Sequence, residues 1–126
     1  MDSRKRLMIA EDCTLFAKVC RILLQYDFDV VGIASDGGQL LSMAARLRPD
    51  IILADINLPV MNGVEAAGKL RLAMPSTKIV LMTADRCFDL IKNLSHELEA
   101  TVVFKGDSSE ILAAVCQAFD PTALAS

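Results

Sequence analysis

The fold is decided by the stretch Ile51-Ile52-Leu53-Ala54-Asp55-Ile56-Asn57-Leu58-Pro59. Its four consecutive apolar residues are typical of a strand that is buried on both faces, as in a parallel sheet covered by helices. A carboxylate, Asp55, follows them directly, and Pro59 ends the run. In open α/β sheets, ligands bind outside the carboxyl ends of the strands. The sequence therefore places Asp55 where chemistry is expected.

Apolar runs on both sides of this stretch alternate with patterns that are typical of helices. Leu15, Val19, Ile22, Leu23 and Tyr26, for example, recur at helical spacing and predict the first helix. The sequence predicts strands at 7–10, 29–34, 51–55, 78–82 and 101–104, and helices at 15–27, 40–47, 64–74, 85–98 and 111–119.

Five repeats of strand and helix predict an α/β fold: a five-stranded parallel sheet with right-handed crossovers and helices on both faces. The length of 126 residues suits one ordinary domain. We therefore expect residues 1–126 to form a single domain.

The composition argues against several classes of protein. Hydrophobic residues make up 53% of the chain and charged residues 23%, which is typical of a packed domain. The net charge of −3 provides no basic surface for nucleic acid, and we interpret Arg4-Lys5-Arg6 as a solvated end. Four cysteines without a CxxC pair indicate neither a zinc site nor a disulfide framework. Without a membrane-length apolar run or a signal peptide, a cytoplasmic location is expected.

Every candidate chemical group directly follows a predicted strand. Glu11 and Asp12 follow the first strand, Asp55 the third, Thr83 the fourth and Lys105 the fifth. If the strand order is 2-1-3-4-5, three carboxylates converge at one edge of the sheet. Carboxylates so close repel one another unless a hard divalent cation holds them, and Mg²⁺ prefers such oxygen ligands. We infer a Mg²⁺ site, with Lys105 and Thr83 facing an anion on or near Asp55.

Each of these residues also has a simpler interpretation when it is taken alone. Asp55 can form an Asx turn, and Glu11 and Asp12 can stabilise the N-terminus of the first helix. Thr83 can cap the fourth helix, and Lys105 can be a solvated loop residue. The presence of all five groups at strand ends favours a common site.

Together these residues resemble the receiver domain of bacterial two-component response regulators. The resemblance extends from Arg6 to Phe119 and implies a CheY-like, flavodoxin-like doubly wound fold with strand order 2-1-3-4-5. It rests on Glu11-Asp12, Asp55 in Asp55-Ile56-Asn57-Leu58-Pro59-Val60-Met61-Asn62-Gly63, Thr83-Ala84 and Lys105, in this order after strands one, three, four and five.

The resemblance implies a phosphorylation switch. Asp55 would accept a phosphoryl group from a phosphohistidine of a sensor histidine kinase or a phosphotransfer protein. Lys105 would pair with the phosphoryl oxygens. Thr83 would move to hydrogen-bond the phosphoryl group and so bias an output surface made of helix 4, strand 5 and helix 5. The chain would then be a phosphoacceptor that assists its own phosphorylation and dephosphorylation, and not an enzyme.

The resemblance also implies the ligands of the Mg²⁺ ion. These are Asp12, Asp55 and the backbone carbonyl of Asn57, with Glu11 acting through water. The alternative is a Mg²⁺-dependent phosphatase of the haloacid-dehalogenase type, although that family has an aspartate where this chain has Asn57. A flavodoxin-like cofactor carrier would meet repulsion between Glu11-Asp12 and a flavin phosphate, and an unphosphorylated pseudo-receiver would not need all five groups.

Two departures from the family pattern concern the output. Receivers often have an aromatic residue three positions before the lysine, where this chain has Val102, so Phe104 is the substitute candidate. Gly106 replaces the proline that often follows the lysine, as in receivers of transcription factors with a C-terminal helix-turn-helix domain. The chain, which continues through Pro121, is either a complete regulator or part of a longer one, and Lys105-Gly106 favours the second. Self-association on phosphorylation is one expected output, whereas binding of this chain to nucleic acid or a membrane is not expected.

Overall fold

Strands and helices alternate along the whole described chain, as the sequence predicts. The structure is a computed structural model that describes residues 3–119, except for the side chain of Phe88. Pro121 and both ends of the domain expected over 1–126 lie outside the described residues. The elements are β1 (Lys5–Ala10), α1 (Thr14–Leu24), β2 (Phe28–Ala34), α2 (Gly37–Leu47), β3 (Ile51–Asp55), α3 (Gly63–Ala73), β4 (Lys78–Thr83), α4 (Phe88–Leu98), β5 (Thr101–Phe104) and α5 (Ser108–Gln117).

The strands form one parallel sheet in the order β2-β1-β3-β4-β5, which confirms the predicted fold class and strand order. β3 lies at the centre, and all five of its residues are buried because both faces of the sheet are covered. In the register, Leu53 of β3 pairs with Ile9 of β1 and with Val80 of β4. The carboxyl ends of four adjacent strands therefore meet at one edge.

Helices pack on both faces of the sheet and create two hydrophobic clusters. The cluster beneath α2, α3 and α4 includes Ile52, Leu70 and Leu81, and the cluster beneath α1 and α5 includes Leu53 and Ile111. No helix within residues 3–119 has the length and apolar character that a membrane crossing requires.

The first helix forms but ends at Leu24 and not at the predicted Asp27, so Tyr26 lies in the turn after it. Most of the apolar residues that predict the helix face the solvent. Leu15, Val19, Ile22 and Tyr26 are 73%, 44%, 62% and 79% exposed, respectively. The residues that α1 buries are Ala17, Cys20 and Leu24. α1 thus packs on the sheet through the other residues of its pattern. It leaves an apolar stripe, defined here as Leu15, Val19 and Ile22 of the helix and Tyr26 of the turn after it, open to the solvent.

The interpretation of Arg4-Lys5-Arg6 as a solvated end is correct only in part, because Arg4 and Lys5 are exposed but Lys5 and the half-buried Arg6 begin β1. The backbone N–H of Arg6 donates to Oδ2 of Asp50 at 2.8 Å, and its guanidinium donates to the carbonyl oxygen of Leu47. These bonds fix the start of β1 against the connection between α2 and β3.

Two glycines allow the loop after β3 to pack closely. A Cβ atom at Gly37 would lie 1.8 Å from the carbonyl oxygen of Met61, and one at Gly63 would lie 2.3 Å from the carbonyl oxygen of Asp55. Both glycines have negative φ. Space, and not backbone conformation, therefore requires glycine at these two positions.

We expect Gly63→Ala to lower the free energy of unfolding by about 1–3 kcal/mol, because the added methyl group meets backbone that cannot rotate away. Gly68→Ala is the matched control in the same helix. A Cβ at Gly68 would meet nothing within 4 Å, so we expect this variant to gain about 0.5–1 kcal/mol. Urea unfolding of both variants measures the difference. Equal effects at the two positions would contradict the contact at Gly63.

Candidate functional site

The ends of β3, β4 and β5 are held together by hydrogen bonds that continue the sheet beyond its strands. The N–H of Ile56 donates to the carbonyl oxygen of Met82 at 2.9 Å, and the N–H of Lys105 donates to that of Thr83 at 2.7 Å. Asp55 and Lys105 therefore leave the sheet from a rigid edge.

Three carboxylates meet at this edge. Glu11 and Asp12 follow β1, Asp55 ends β3, and one carboxylate oxygen of each lies within 4.8 Å of one from each of the others. The side chains of Glu11 and Asp55 are 0% and 5% exposed, whereas Asp12 is exposed. The cluster is thus buried on the side of the sheet and open on the side of Asp12.

Lys105 provides the positive charge of the site. Its Nζ donates to Oδ2 of Asp55 at 2.6 Å and forms an ion pair with Oε1 of Glu11. The same Nζ lies 4.7 Å from the ring centroid of Phe16, so an aromatic face covers the ammonium group. The lysine thereby reaches the two buried carboxylates but not the exposed one.

The shared environment raises the pKa of Glu11 and Lys105 but lowers that of Asp55. Burial, together with the nearby Asp55, raises the pKa of Glu11 to about 7, although Lys105 opposes this rise. Burial also works to raise the pKa of Asp55, but the neighbouring Glu11, the ammonium of Lys105 and the backbone N–H of Asn57 outweigh it and lower the pKa. Burial works to lower the pKa of Lys105, yet its bonds to both carboxylates raise it. Of the two buried carboxylates, Asp55 is therefore the one whose charged form the site favours.

Glu11 shows why a cation suits this cluster. Neither of its buried carboxylate oxygens accepts a hydrogen bond from residues 3–119, and only the ion pair with Lys105 offsets the burial of the group. A buried carboxylate without such partners is costly. Three carboxylates with one exposed member offer the hard oxygen ligands that Mg²⁺ prefers, together with an open side for its water molecules. The residues present thus fit the ion.

Thr83 and Asn57 lie beside the carboxylates but make local contacts. Thr83 is 1% exposed, and its Oγ1 accepts a hydrogen bond from the N–H of Asp85 at 3.1 Å, which leaves its own O–H free to donate. The backbone N–H of Asn57 donates to Oδ1 of Asp55 at 2.9 Å. Asn57 therefore orients the Asp55 carboxylate through its N–H, and this contact is the Asx turn that the sequence offers as the simpler interpretation of Asp55.

The loop after Asp55 contains a strained turn. Val60 has a φ of 69°, and the N–H of Met61 donates to the carbonyl oxygen of Pro59 at 2.8 Å, which makes Val60 the centre of a three-residue turn. A positive φ is unfavourable for a β-branched residue. Leu58 is buried and anchors the loop, so the surrounding packing holds this turn beside the site.

The structure brings together five of the six residues that the sequence predicts: Glu11, Asp12, Asp55, Asn57 and Lys105. It adds two that the sequence does not single out, Phe16 and Gly63. In the sequence, Phe16 is only another apolar residue of the first helix, and Gly63 indicates only the end of a loop. Their roles depend on contacts between elements, for which the linear sequence carries no signal.

The family of response regulator receiver domains matches residues 7–116 of the chain. The uncharacterized transcriptional regulatory protein YxjL of Bacillus subtilis (strain 168) is 38% identical over 80 residues, which cover 62% of this chain and 37% of the relative. A protein-glutamate methylesterase/protein-glutamine glutaminase of Hahella chejuensis (strain KCTC 2396) is 32% identical over 117 residues, which cover 84% of this chain and 30% of the relative. The chain therefore spans about a third of the length of these relatives.

The fold also matches a solved structure over almost its whole length. The signal receiver domain of the response regulator NarL from Mycobacterium tuberculosis superposes with a TM-score of 0.85 at 25% identity, and the match covers 94% of this chain and 99% of that chain. The fold and the match to the family agree with the receiver resemblance and give no support to a phosphatase of the haloacid-dehalogenase type.

Proposed function

The chain belongs to the response regulator receiver domain family of two-component systems, and on that basis we propose that Asp55 is the residue on which it is phosphorylated. The observation that supports this choice is the contact of 2.6 Å between Oδ2 of Asp55 and Nζ of Lys105. Among the three clustered carboxylates, Asp55 combines a lowered pKa with a position at the end of the central strand. Glu11 shares the contact with Lys105 but not this position, so we assign the nucleophile to Asp55.

In the proposed reaction, an oxygen of the Asp55 carboxylate attacks the phosphorus atom of a phosphohistidine on the donor protein. The O–P bond forms as the N–P bond breaks, and the electron pair of the broken bond stays on the imidazole nitrogen. With a proton on its other nitrogen, the imidazole leaves as a neutral ring. Lys105 then pairs with the phosphoryl oxygens in place of the carboxylate, since its ammonium already lies beside Oδ2.

Receiver domains bind Mg²⁺ at an acidic pocket, and this chain has such a cluster. We propose that Asp12, Asp55 and the backbone carbonyl of Asn57 hold the ion, with Glu11 acting through water. When bound, Mg²⁺ would neutralise negative charge on the transferring phosphoryl group. Asp12 supplies the exposed ligand, and its exposure leaves the way open for the donor.

Thr83 is the proposed sensor of the phosphoryl group. Its O–H can donate while its oxygen still accepts from Asp85. A hydrogen bond to the phosphoryl group would draw the end of β4 toward Asp55. The loop that follows would then move, and with it the surface formed by α4, β5 and α5.

The donor in this proposal is a sensor histidine kinase or a phosphotransfer protein. A donor that brings a histidine to Asp55 has to cover the edge of the sheet where α1 begins. The apolar stripe of α1 starts there with Leu15, three residues after Asp12. Lys18 and Arg21, which lie between residues of this stripe, would favour a partner helix with acidic residues at its margins.

The output is proposed from the relatives. They include a transcriptional regulatory protein and a methylesterase, so related chains serve different outputs. We propose that this chain is the receiver of a transcriptional regulator, because Lys105-Gly106 resembles receivers of that subfamily. Its role would be regulatory, through self-association or contact with an output domain. With a net charge of −3, the chain itself would not bind nucleic acid.

A labelling experiment tests the phosphoacceptor. Incubated with Mg²⁺ and acetyl phosphate, the wild-type chain is expected to gain the mass of one phosphoryl group, and Asp55→Asn is expected to gain none. Asp89→Asn removes an exposed carboxylate in the first turn of α4 and should label like the wild type. Intact-mass spectrometry reads all three. Equal labelling of wild type and Asp55→Asn would overturn the proposal.

A further inference from the structure

A second cation lies at the same edge of the sheet and contacts the residue next to Lys105. The guanidinium carbon of Arg86 is 3.9 Å from the ring centroid of Phe104, which is the geometry of a cation–π contact. Arg86 lies three residues after Thr83, in the loop that joins β4 to α4, and Phe104 is the last residue of β5. The contact thus joins this loop to the strand that carries Lys105.

The side chains of Phe104 and Lys105 make different contacts, although the two residues are adjacent. Lys105 reaches Asp55, whereas Phe104 shares a face with Val102, which is 7% exposed and packs into the cluster beneath α4. Phe104 also pairs with Thr83 in the sheet. The carboxyl end of β5 therefore contacts the site through Lys105 and the loop through the ring of Phe104.

Gly106 provides the space that the ring occupies. A Cβ atom at this position would lie 2.4 Å from Cε2 and 2.7 Å from Cζ of Phe104. The φ of Gly106 is not positive, so its backbone conformation does not require glycine. The position of the ring beneath Arg86 accounts for glycine after Lys105.

The loop of residues 84–87 has few other ties to the rest of the fold. The N–H of Asp85 donates to Thr83, and the N–H of Cys87 donates to Oδ1 of Asp85 at 2.8 Å. These hydrogen bonds are local, whereas Arg86 reaches across to β5. The Arg86 contact therefore ties the loop to the end of β5, where the charge of Arg86 also acts on Asp107, and the loop is covalently continuous with Thr83.

We propose that Arg86 is a positioning residue for the phosphorylation of Asp55: stacked on Phe104, it holds the loop after Thr83 in its unphosphorylated arrangement. This inference rests on the proposed function, in which Thr83 moves toward the phosphoryl group. That movement draws the loop away from Phe104 and breaks the contact. A contact made in only one of two arrangements stabilises that arrangement, so the pair opposes the phosphorylated state.

Binding of beryllofluoride, a tetrahedral mimic of the phosphoryl group, measures this opposition in the presence of Mg²⁺. An exposed cation–π contact has a free energy that corresponds to a change of about two- to fivefold in an equilibrium constant. We therefore expect Arg86→Ala and Phe104→Leu each to bind beryllofluoride about two- to fivefold more tightly than the wild type. The double variant should gain no more than either single variant, and Arg86→Lys, which keeps a cation, should lie close to the wild type. Fluorine NMR of the bound mimic gives the affinities.

Lys5→Ala is the matched control, because Nζ of Lys5 lies 5.3 Å from the ring centroid of Phe119 at the opposite edge of the sheet. This variant should bind the mimic like the wild type. Unchanged or weaker affinity in Arg86→Ala and Phe104→Leu would overturn the inference, because a merely structural pair changes unfolding and not affinity. Additive effects in the double variant would also overturn it, because they would show that the two residues act independently. If the wild type itself bound no beryllofluoride, the proposed function would fail. If the wild type bound the mimic and the variants bound it no better, only the role of Arg86 would fail.

Discussion

Lys105→Met is expected to lower the free energy of unfolding by about 2–4 kcal/mol when a chelator removes divalent cations. The change keeps an unbranched apolar stem but removes the only charge that balances Glu11 and Asp55 within the described site. Breaking a fully buried ion pair from one side costs more than this, and the 22% exposure of the Lys105 side chain reduces the effect. Added Mg²⁺ should restore part of the lost stability, because a divalent cation would compensate the negative charge of the same carboxylates.

The matched control for this prediction is Lys69→Met. Lys69 is exposed on α3, away from the cluster, and the same change there should stay within about 0.5 kcal/mol of the wild type. Urea unfolding with and without Mg²⁺ compares the two variants. If Lys105→Met were as stable as Lys69→Met in the chelator, Lys105 would not be what stabilises the buried carboxylates.

Asp12→Asn is expected to weaken Mg²⁺ binding by about a hundredfold or more. Asp12 is the exposed member of the cluster, so it can offer an oxygen to the ion without breaking the contacts of Lys105. Removing even an outer partner of a metal site typically costs about 10- to 100-fold in affinity, and Asp12 is proposed as a direct ligand. Calorimetric titration with Mg²⁺ measures the change, and labelling by acetyl phosphate should fall in parallel.

Asp89→Asn again provides the control, because it also removes an exposed carboxylate but outside the cluster. Its Mg²⁺ affinity should equal that of the wild type. Wild-type Mg²⁺ affinity in Asp12→Asn would mean that the ion, if it binds, sits away from the three clustered carboxylates.

The fold could be predicted because its signals are local. β3 is a run of apolar residues that ends in Asp55, and a strand buried on both faces needs no partner to be recognised in sequence. The same pattern places Glu11 and Lys105 directly after strands. Once the strand order is known, parallel strands bring these residues to one edge, which is why the carboxylates and the lysine meet as expected.

The remaining features depend on packing between elements. α1 is apolar on two sides, so helical spacing alone cannot tell that Ala17 and Cys20 face the sheet while Ile22 faces the solvent. The stacking of Arg86 on Phe104 requires a rotamer and a loop path that no spacing encodes. The first of these features defines an unexpected surface beside the site, and the second a contact that bears on the switch.

Chemical trapping of the phosphorylated residue tests the central claim most directly. Borohydride reduces an aspartyl phosphate to the alcohol, so after incubation with Mg²⁺ and acetyl phosphate the modified position can be read by tandem mass spectrometry. Homoserine at position 55, and at no other carboxylate, is the result that we predict. Reduction at Glu11 or Asp12, or a phosphoryl group retained on another side chain while Asp55 stays unchanged, would contradict the account.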